Sequence, residues 1–370
     1  QPVIRSTGIY PAISGDGRWV VFHSQFAANA LAQGGSSNAD ILACDLQANP
    51  ASLTPCIDVM HVISDGTSGF ANQSVSNSVV PAVSADGRFV AFASPATNLA
   101  TTPVPSGILQ VYVRDRDSRD TGSFDLPNGS GTINTVTTVV SVDNAGTPGA
   151  TASPVVTANT SSLSVSADGR LAAFATRDGA LTGTTSVLPP NQLPVHVIVR
   201  DTCARQSCST PTTIRVSQAT NGTEGNADSG AGLNARSSLS GDGRRIAFST
   251  VATNLDPPPD AVGYQNIYLS QTAIGISAAA APSLASATPA SIQHASPEFT
   301  LIVSGTGFTP DTIVQGNDSS GPSDRTTLYL GPKKLAVRIY ASDVAAPGGA
   351  TVRACTAGVC SAVSLPFTIN

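Results

Sequence analysis

SGDGRWVVF at Ser14–Phe22, SADGRFVAF at Ser84–Phe92, SADGRLAAF at Ser166–Phe174 and SGDGRRIAF at Ser240–Phe248 are four copies of one nine-residue phrase. A repeat this clean fixes the architecture before any single residue is interpreted. Asp-Gly between two β-rich runs predicts a hairpin: the glycine supplies a positive φ, and the aspartate accepts hydrogen bonds from backbone N–H groups just ahead. The turn pairs are Asp16-Gly17, Asp86-Gly87, Asp168-Gly169 and Asp242-Gly243. An apolar run ending in Phe follows each turn, and a short strand such as Tyr10–Ser14 or Val80–Ser84 precedes it.

The periodicity extends outward from the phrase. A third strand ends in Asp45, Asp115 and Asp201 at offsets of 23, 23 and 27 residues after the Phe, and in Gln271 at 23 in the fourth copy. A fourth strand follows in three copies, at Val59–Ser64, Thr137–Val142 and Thr213–Ser217. Four antiparallel strands per unit, repeated radially, is the pattern of a β-propeller blade. The fourth unit has no outer strand, whereas the chain starts with a spare one, Pro2–Ser6. The expected fold is therefore all-β: a small propeller over residues 1–277, of four blades, whose N-terminal strand closes the last blade.

The phrases, together with Ala96-Thr97-Asn98-Leu99, Ala252-Thr253-Asn254-Leu255 and Val111-Tyr112-Val113-Arg114-Asp115, resemble the TolB-type, WD-like repeat of bacterial envelope and secreted proteins. That resemblance implies the propeller fold and carries no catalytic residue. The turns are 70, 82 and 74 residues apart, so long loops are inserted between strands. Loops 25–39, 95–108, 177–195 and 252–265 all leave the second strand of a blade and are expected on one face. Loops carried by a rigid ring are the usual site of binding.

After an Ala/Pro-rich linker at 278–288, residues 289–370 change period. Thr288-Pro289-Ala290-Ser291, the run from Phe299 to Phe308 and the closing Phe367-Thr368-Ile369 resemble the IPT/TIG family. This resemblance implies an immunoglobulin-like β-sandwich that serves as a spacer or interaction module.

Six cysteines fall in three local pairs, Cys44 with Cys56, Cys203 with Cys208 and Cys355 with Cys360, near β-turns and without adjacent His. Disulfides in an oxidising compartment are expected, rather than zinc. Charged residues make up 12% of the chain, lysine occurs at Lys333 and Lys334 alone, and the net charge is −5. Nucleic acid and anionic membranes are thus poor partners, and no apolar run is long enough to span a bilayer. A chain beginning at Gln1 fits export, in the periplasm, at the cell surface or outside the cell.

No catalytic constellation emerges. There is no G-x-S-x-G motif, and His23, His61, His196 and His294 lie in different repeats and in the C-terminal domain. The repeated aspartates are better read as turn builders than as metal ligands. Asp65-Gly66, Asp143-Asn144 and Asp228 are oxygen-rich, which leaves structural calcium open, but D-x-D-x-D-G spacing is missing. No cofactor is expected, and with one Trp, Trp19, no sugar-stacking groove is evident. The sequence reads as a non-enzymatic interaction or scaffold subunit of the cell envelope, binding other surface proteins through its blade loops in a multi-subunit assembly. Two alternatives stand: a subunit of an extracellular filament or surface layer, and a carbohydrate-binding protein or enzyme using the propeller channel.

Overall fold

The computed structural model of the chain describes residues 8–24, 40–47, 60–62, 65–66, 69–70, 79–125, 134–151, 163–184, 188–189, 192–203, 210–231, 237–241, 243–256, 264–272, 281–309, 312–318, 321–331, 333–356 and 359–370. It is all-β and forms two compact units, Gln1–Ile274 and Gly275–Asn370.

The first unit repeats one antiparallel sheet. Its first sheet contains β1 (Gly8–Ile13), β2 (Trp19–Ser24), β3 (Asp40–Asp45) and β4 (Met60–Val62). A small hairpin follows, β5 (Asp65–Gly66) with β6 (Gly69–Phe70). The second sheet has β7 (Val79–Val83), β8 (Phe89–Ser94), β9 (Gln110–Asp115) and β10 (Val136–Val139). The third has β11 (Ser164–Val165), β12 (Leu171–Thr176), β13 (His196–Asp201) and β14 (Thr212–Arg215), with a single helical turn, α1 (Gly179–Thr182), after β12. The fourth keeps three strands, β15 (Ser237–Leu239), β16 (Arg245–Thr250) and β17 (Asn266–Gln271). The strands expected from the repeat are present, and the fourth sheet lacks an outer strand among the described residues. Residues 2–6, expected to supply it, lie outside them.

The phrase builds each turn in the same way. In the first copy Gly17 N–H donates to Ser14 O at 2.9 Å, Trp19 N–H to Ser14 Oγ at 2.9 Å, and Arg18 N–H to Asp16 Oδ1 at 3.0 Å. The second and third copies repeat these bonds through Ser84 with Asp86 and Ser166 with Asp168. Gly17, Gly87, Gly169 and Gly243 all have φ between 71° and 78°, a region open to glycine at little steric cost. The phrase's arginine then reaches the end of the third strand. Arg18 pairs with Asp45, Arg88 with Asp115 and Arg170 with Asp201, each through two parallel N–H···O bonds. The hairpin's turn is thereby clamped to its neighbouring strand.

Successive sheets stack through a fixed set of positions. The trailing face of one sheet packs on the leading face of the next: Trp19, Val21, Ile41 and Ala43 meet Val90, Phe92 and Tyr112. Phe89, Ala91, Val111 and Val113 then meet Ala172, Phe174 and Ile198, and Leu171, Ala173, Val197 and Val199 meet Ile246 and Phe248. The turn glycines allow the close approach. A Cβ on Gly87 would lie 2.1 Å from the Trp19 ring, one on Gly169 2.0 Å from Phe89, and one on Gly243 2.5 Å from Leu171.

At the two ends of this array the pattern stops. A Cβ on Gly17 would meet nothing within 4 Å, and in the fourth sheet Arg245 takes the place of Trp19, Phe89 and Leu171. Ile267 and Leu269, on the fourth sheet's trailing face, are 74% and 68% exposed. The face-to-face packing that a closed four-bladed ring requires is therefore not made by the described residues. A charged side chain replaces the apolar plug at that step, and among the described residues no turn glycine is seated against it.

In the second unit β18 (Ser283–Thr288), β20 (Phe299–Thr306), β24 (Lys334–Ile339) and β23 (Thr327–Gly331) form one sheet, in that order. The other is ordered β19 (Ser291–Ile292), β27 (Leu365–Ile369), β25 (Gly348–Thr356), β21 (Thr312–Asp318), β22 (Gly321–Arg325), with β26 (Val359–Cys360) also paired to β25. Phe299 stacks on Phe367 at 6.0 Å between them, amid buried Leu301, Val303, Leu335, Val337 and Val352. Part of the expected linker is thus a strand. Its Ser and Ala side chains are small enough for β18 to lie tight against Gly305, where a Cβ would approach Ser283 O to 2.0 Å.

Cys355 and Cys360 form a disulfide across the β25–β26 hairpin. Cys44 and Cys203 are also disulfide-bonded, while Cys56 and Cys208, their expected partners, lie outside the described residues. Among the described residues no helix is long and apolar enough to cross a membrane.

Candidate interaction surface at the loop end of the sheets

Opposite the Asp-Gly turns, each second strand runs into a loop. Of the four loops expected there, 95–108 is described throughout, 177–195 and 252–265 in part, and 25–39 lies outside the described residues. The two A-T-N-L stretches show how these loops are held. Ala96 and Leu99 insert into the core between the first and second sheets, and Ala252 and Leu255 into that between the third and fourth. Each stretch therefore pins its loop by two small apolar anchors while its Thr and Asn remain at the surface or near it.

Around the fourth sheet that polar pair clasps the loop after β14. Asn226 N–H donates to Asn254 Oδ1 at 2.9 Å, and Thr253 N–H donates to Asn226 Oδ1 at 2.9 Å. Asn226 Nδ2 donates to Thr253 Oγ1 at 2.9 Å, and Asn254 Nδ2 donates to Glu224 O at 2.8 Å. Asp256 Oδ2 accepts from both the backbone N–H and the hydroxyl of Thr220 at 2.8 Å, which hold its carboxyl below the usual range. Toward the third sheet, Arg177 bridges Asp228 and the Leu193 carbonyl. Glu224 accepts from Thr184 Oγ1 and Arg215. Asp178 caps α1 and also accepts from Thr151 N–H. The result is a polar surface with fixed donors and acceptors on a rigid support.

Beneath it sits His196, the first residue of β13, buried and within 3.1 Å of Ser217 Oγ through Nδ1. Burial, reinforced by the Arg215 charge, lowers its pKa to about 4, so it is neutral at ordinary pH. Nε2 has no hydrogen-bond partner. Gln110 occupies the same place in the second sheet, accepting from Ser141 Oγ at 2.5 Å. His23 is also buried, and burial lowers its pKa. His294 is exposed, and the side chain of His61 lies outside what is described. His23 and His196 stand on different sheets.

The oxygen-rich loops use their oxygens on N–H donors. Asp143 Oδ1 accepts from Ala145 and Thr147, Asn144 Oδ1 from Thr213, and Asp228 Oδ1 from Val195. Asp117, not singled out from sequence, accepts from the N–H groups of Thr121 and Gly122 and from Asn134 Nδ2. Among the described residues no group of three or more His, Cys, Asp or Glu could hold a metal. Asp242 lies outside the described residues, and for Asp65 only the backbone is described.

Sequence reasoning also missed Arg116. It is fully buried between the first and second sheets, 3.9 Å from the Trp19 ring, paired with Asp125 at 2.7 Å and donating to Gly87 O at 2.8 Å. The corresponding positions in the other sheets are Leu46, Thr202 and Thr272. The signal was the second arginine in Arg114-Asp115-Arg116-Asp117, unique among the four copies.

No protein-family model and no curated protein matches this chain. Among solved structures it is similar to Trypanosoma rangeli sialidase in complex with the inhibitor DANA, with 9% sequence identity and a TM-score of 0.32. The similarity covers 99% of this chain and 55% of that one, so this chain spans about half its length. That protein's name is that of an enzyme, which stands against the expectation of a chain without catalytic activity. At this TM-score the likeness transfers neither a reaction nor a substrate.

Proposed function

We propose that the chain is an exported interaction scaffold, whose loop end binds other proteins of the cell envelope or surface. In this reading the four repeat sheets are propeller blades of TolB type, and the second unit is an immunoglobulin-like module of IPT/TIG type that acts as a spacer. The observation that carries it is the loop end itself: exposed Asn, Thr and Asp side chains locked by loop-to-loop hydrogen bonds and pinned to the core by Ala252 and Leu255. Presenting a pre-ordered polar surface lowers the ordering cost of binding. The disulfides support an oxidising location.

The test is crosslinking in native envelope extract with wild type, an Asn226→Ala/Asn254→Ala variant, and a turn-end Arg18→Ala control. A crosslinked partner lost in the loop variant and kept in the control supports the reading. Capture of the same partner by all three proteins overturns it.

A further inference from the structure

The two ends of the sheet array are halves of the interface that its interior repeats three times. Inside the array, the residue after the phrase's arginine (Trp19, Phe89 or Leu171) fills the space over the next sheet's turn glycine. The third strand's alternate residues, such as Val197 and Val199, complete that trailing face. On the leading side, Val165 and Leu239 are buried in the same contacts. At the fourth sheet, Arg245, Ile267 and Leu269 occupy the trailing positions and are exposed. At the first sheet, the leading position equivalent to Val165 and Leu239 is Ile13, which is 60% exposed. Beside it the Asp16-Gly17 turn is open to solvent, whereas Gly87, Gly169 and Gly243 are buried.

We propose that the trailing face of the fourth sheet docks onto the turn end of the first sheet in a second copy of this chain. Two observations choose this occupant. The contact continues an interface that the chain already makes three times, and its one altered position is complementary in charge. Arg245 replaces an apolar plug where the facing turn carries the exposed Asp16. Both half-interfaces are open in the same molecule, so each is available to a second copy. Phe22 and Leu42 are already buried, which confines docking to the turn end and makes a small, weak interface. Such a contact is heterologous, so its repetition gives a ring or a filament. It uses neither the loops nor their hydrogen bonds, and stands independently of the scaffold reading.

Mixing single-cysteine variants tests it directly. Asp16→Cys and Arg245→Cys chains, combined in equal amounts and mildly oxidised, should give a mixed disulfide-linked pair as the main crosslinked species on a non-reducing gel. Ile13→Cys serves as a second probe of the first sheet that leaves the turn chemistry intact. Adding Leu269→Asp to the Arg245→Cys chain should abolish the pair, with the thermal transition unchanged because Leu269 is at the surface. Adding Asn226→Ala instead should leave it. Absence of the mixed pair with both probes overturns the proposal. So does self-pairing of either variant as abundant as the mixed species, or crosslinking confined to one chain of an Asp16→Cys/Arg245→Cys double variant.

Discussion

Each residue of the repeated phrase has a separable physical task. Serine closes the turn with its hydroxyl, aspartate accepts the N–H of the arginine, glycine provides the positive φ, and arginine clamps the third strand. The same substitution should therefore cost different amounts in different copies. Gly17→Ala meets only its backbone penalty, about 1 kcal/mol, since nothing stands near its Cβ. Gly169→Ala adds a collision with Phe89 and should lose about 1–3 kcal/mol more through overpacking. Urea unfolding of the two variants compares them. The arginines divide in the same way. Arg170 and Asp201 are both buried, so Arg170→Ala strands a buried carboxylate at a cost of about 3–5 kcal/mol. Arg18 is substantially exposed although Asp45 is buried, so water can reach the site and Arg18→Ala should cost less than Arg170→Ala, about 1–3 kcal/mol. Equal losses from the two arginine variants would contradict the clamp reading.

The strands match their sequence expectation closely, and the departures come from local chemistry. β1 and β7 each contain a bulge at Tyr10 and Val80, where φ is 55° and 49°. The next residue in each is proline, Pro11 or Pro81, which has no N–H for the ladder. β13 starts at His196, whose buried ring makes the element sensitive to acid. A histidine with pKa lowered from 6.5 to about 4 in the folded state takes up protons more readily when unfolded. Its neutral form thus supports the fold above pH 6.5, and that support is lost as pH falls toward 4. The loss should reach about 3 kcal/mol. His23 shifts in the same direction. His196→Gln, which copies the side chain found at Gln110, should flatten stability between those pH values in chemical unfolding curves. An unchanged slope would remove His196 from this role.

At the scale of the molecule, each repeat sheet draws stability from the sheets packed on its faces. The second and third sheets have apolar partners on both faces, whereas the fourth has one face exposed at Ile267 and Leu269. Amides of β16 and β17 should therefore exchange with solvent faster than those of β8, β9, β12 and β13. Hydrogen-exchange mass spectrometry measures this in the native protein. Uniform protection across the four sheets would show that the fourth is covered after all. If a second copy covers it, protection of β17 should rise with protein concentration.

The sequence by itself determined the all-β class, the number of repeat sheets, the strand order within each sheet and the turn chemistry. These follow from short-range rules, in which Asp-Gly sets a turn and alternation sets a strand. It also marked Ala96, Leu99, Ala252 and Leu255 through the A-T-N-L stretches, although their role as loop anchors appears only once they enter the core between sheets. What tertiary structure alone decided was which surfaces meet. The clasp of Asn226 with Asn254 joins positions 28 residues apart, and the Arg170–Asp201 pair spans 31. No periodicity encodes the first contact; the second recurs with the repeat, as Arg18–Asp45 and Arg88–Asp115, but only the fold shows the two side chains pairing. Trp19, Phe89, Leu171 and Arg245 stand at one place in the phrase, yet only the packing of each against the next turn glycine shows that three fill an interface and the fourth leaves one open.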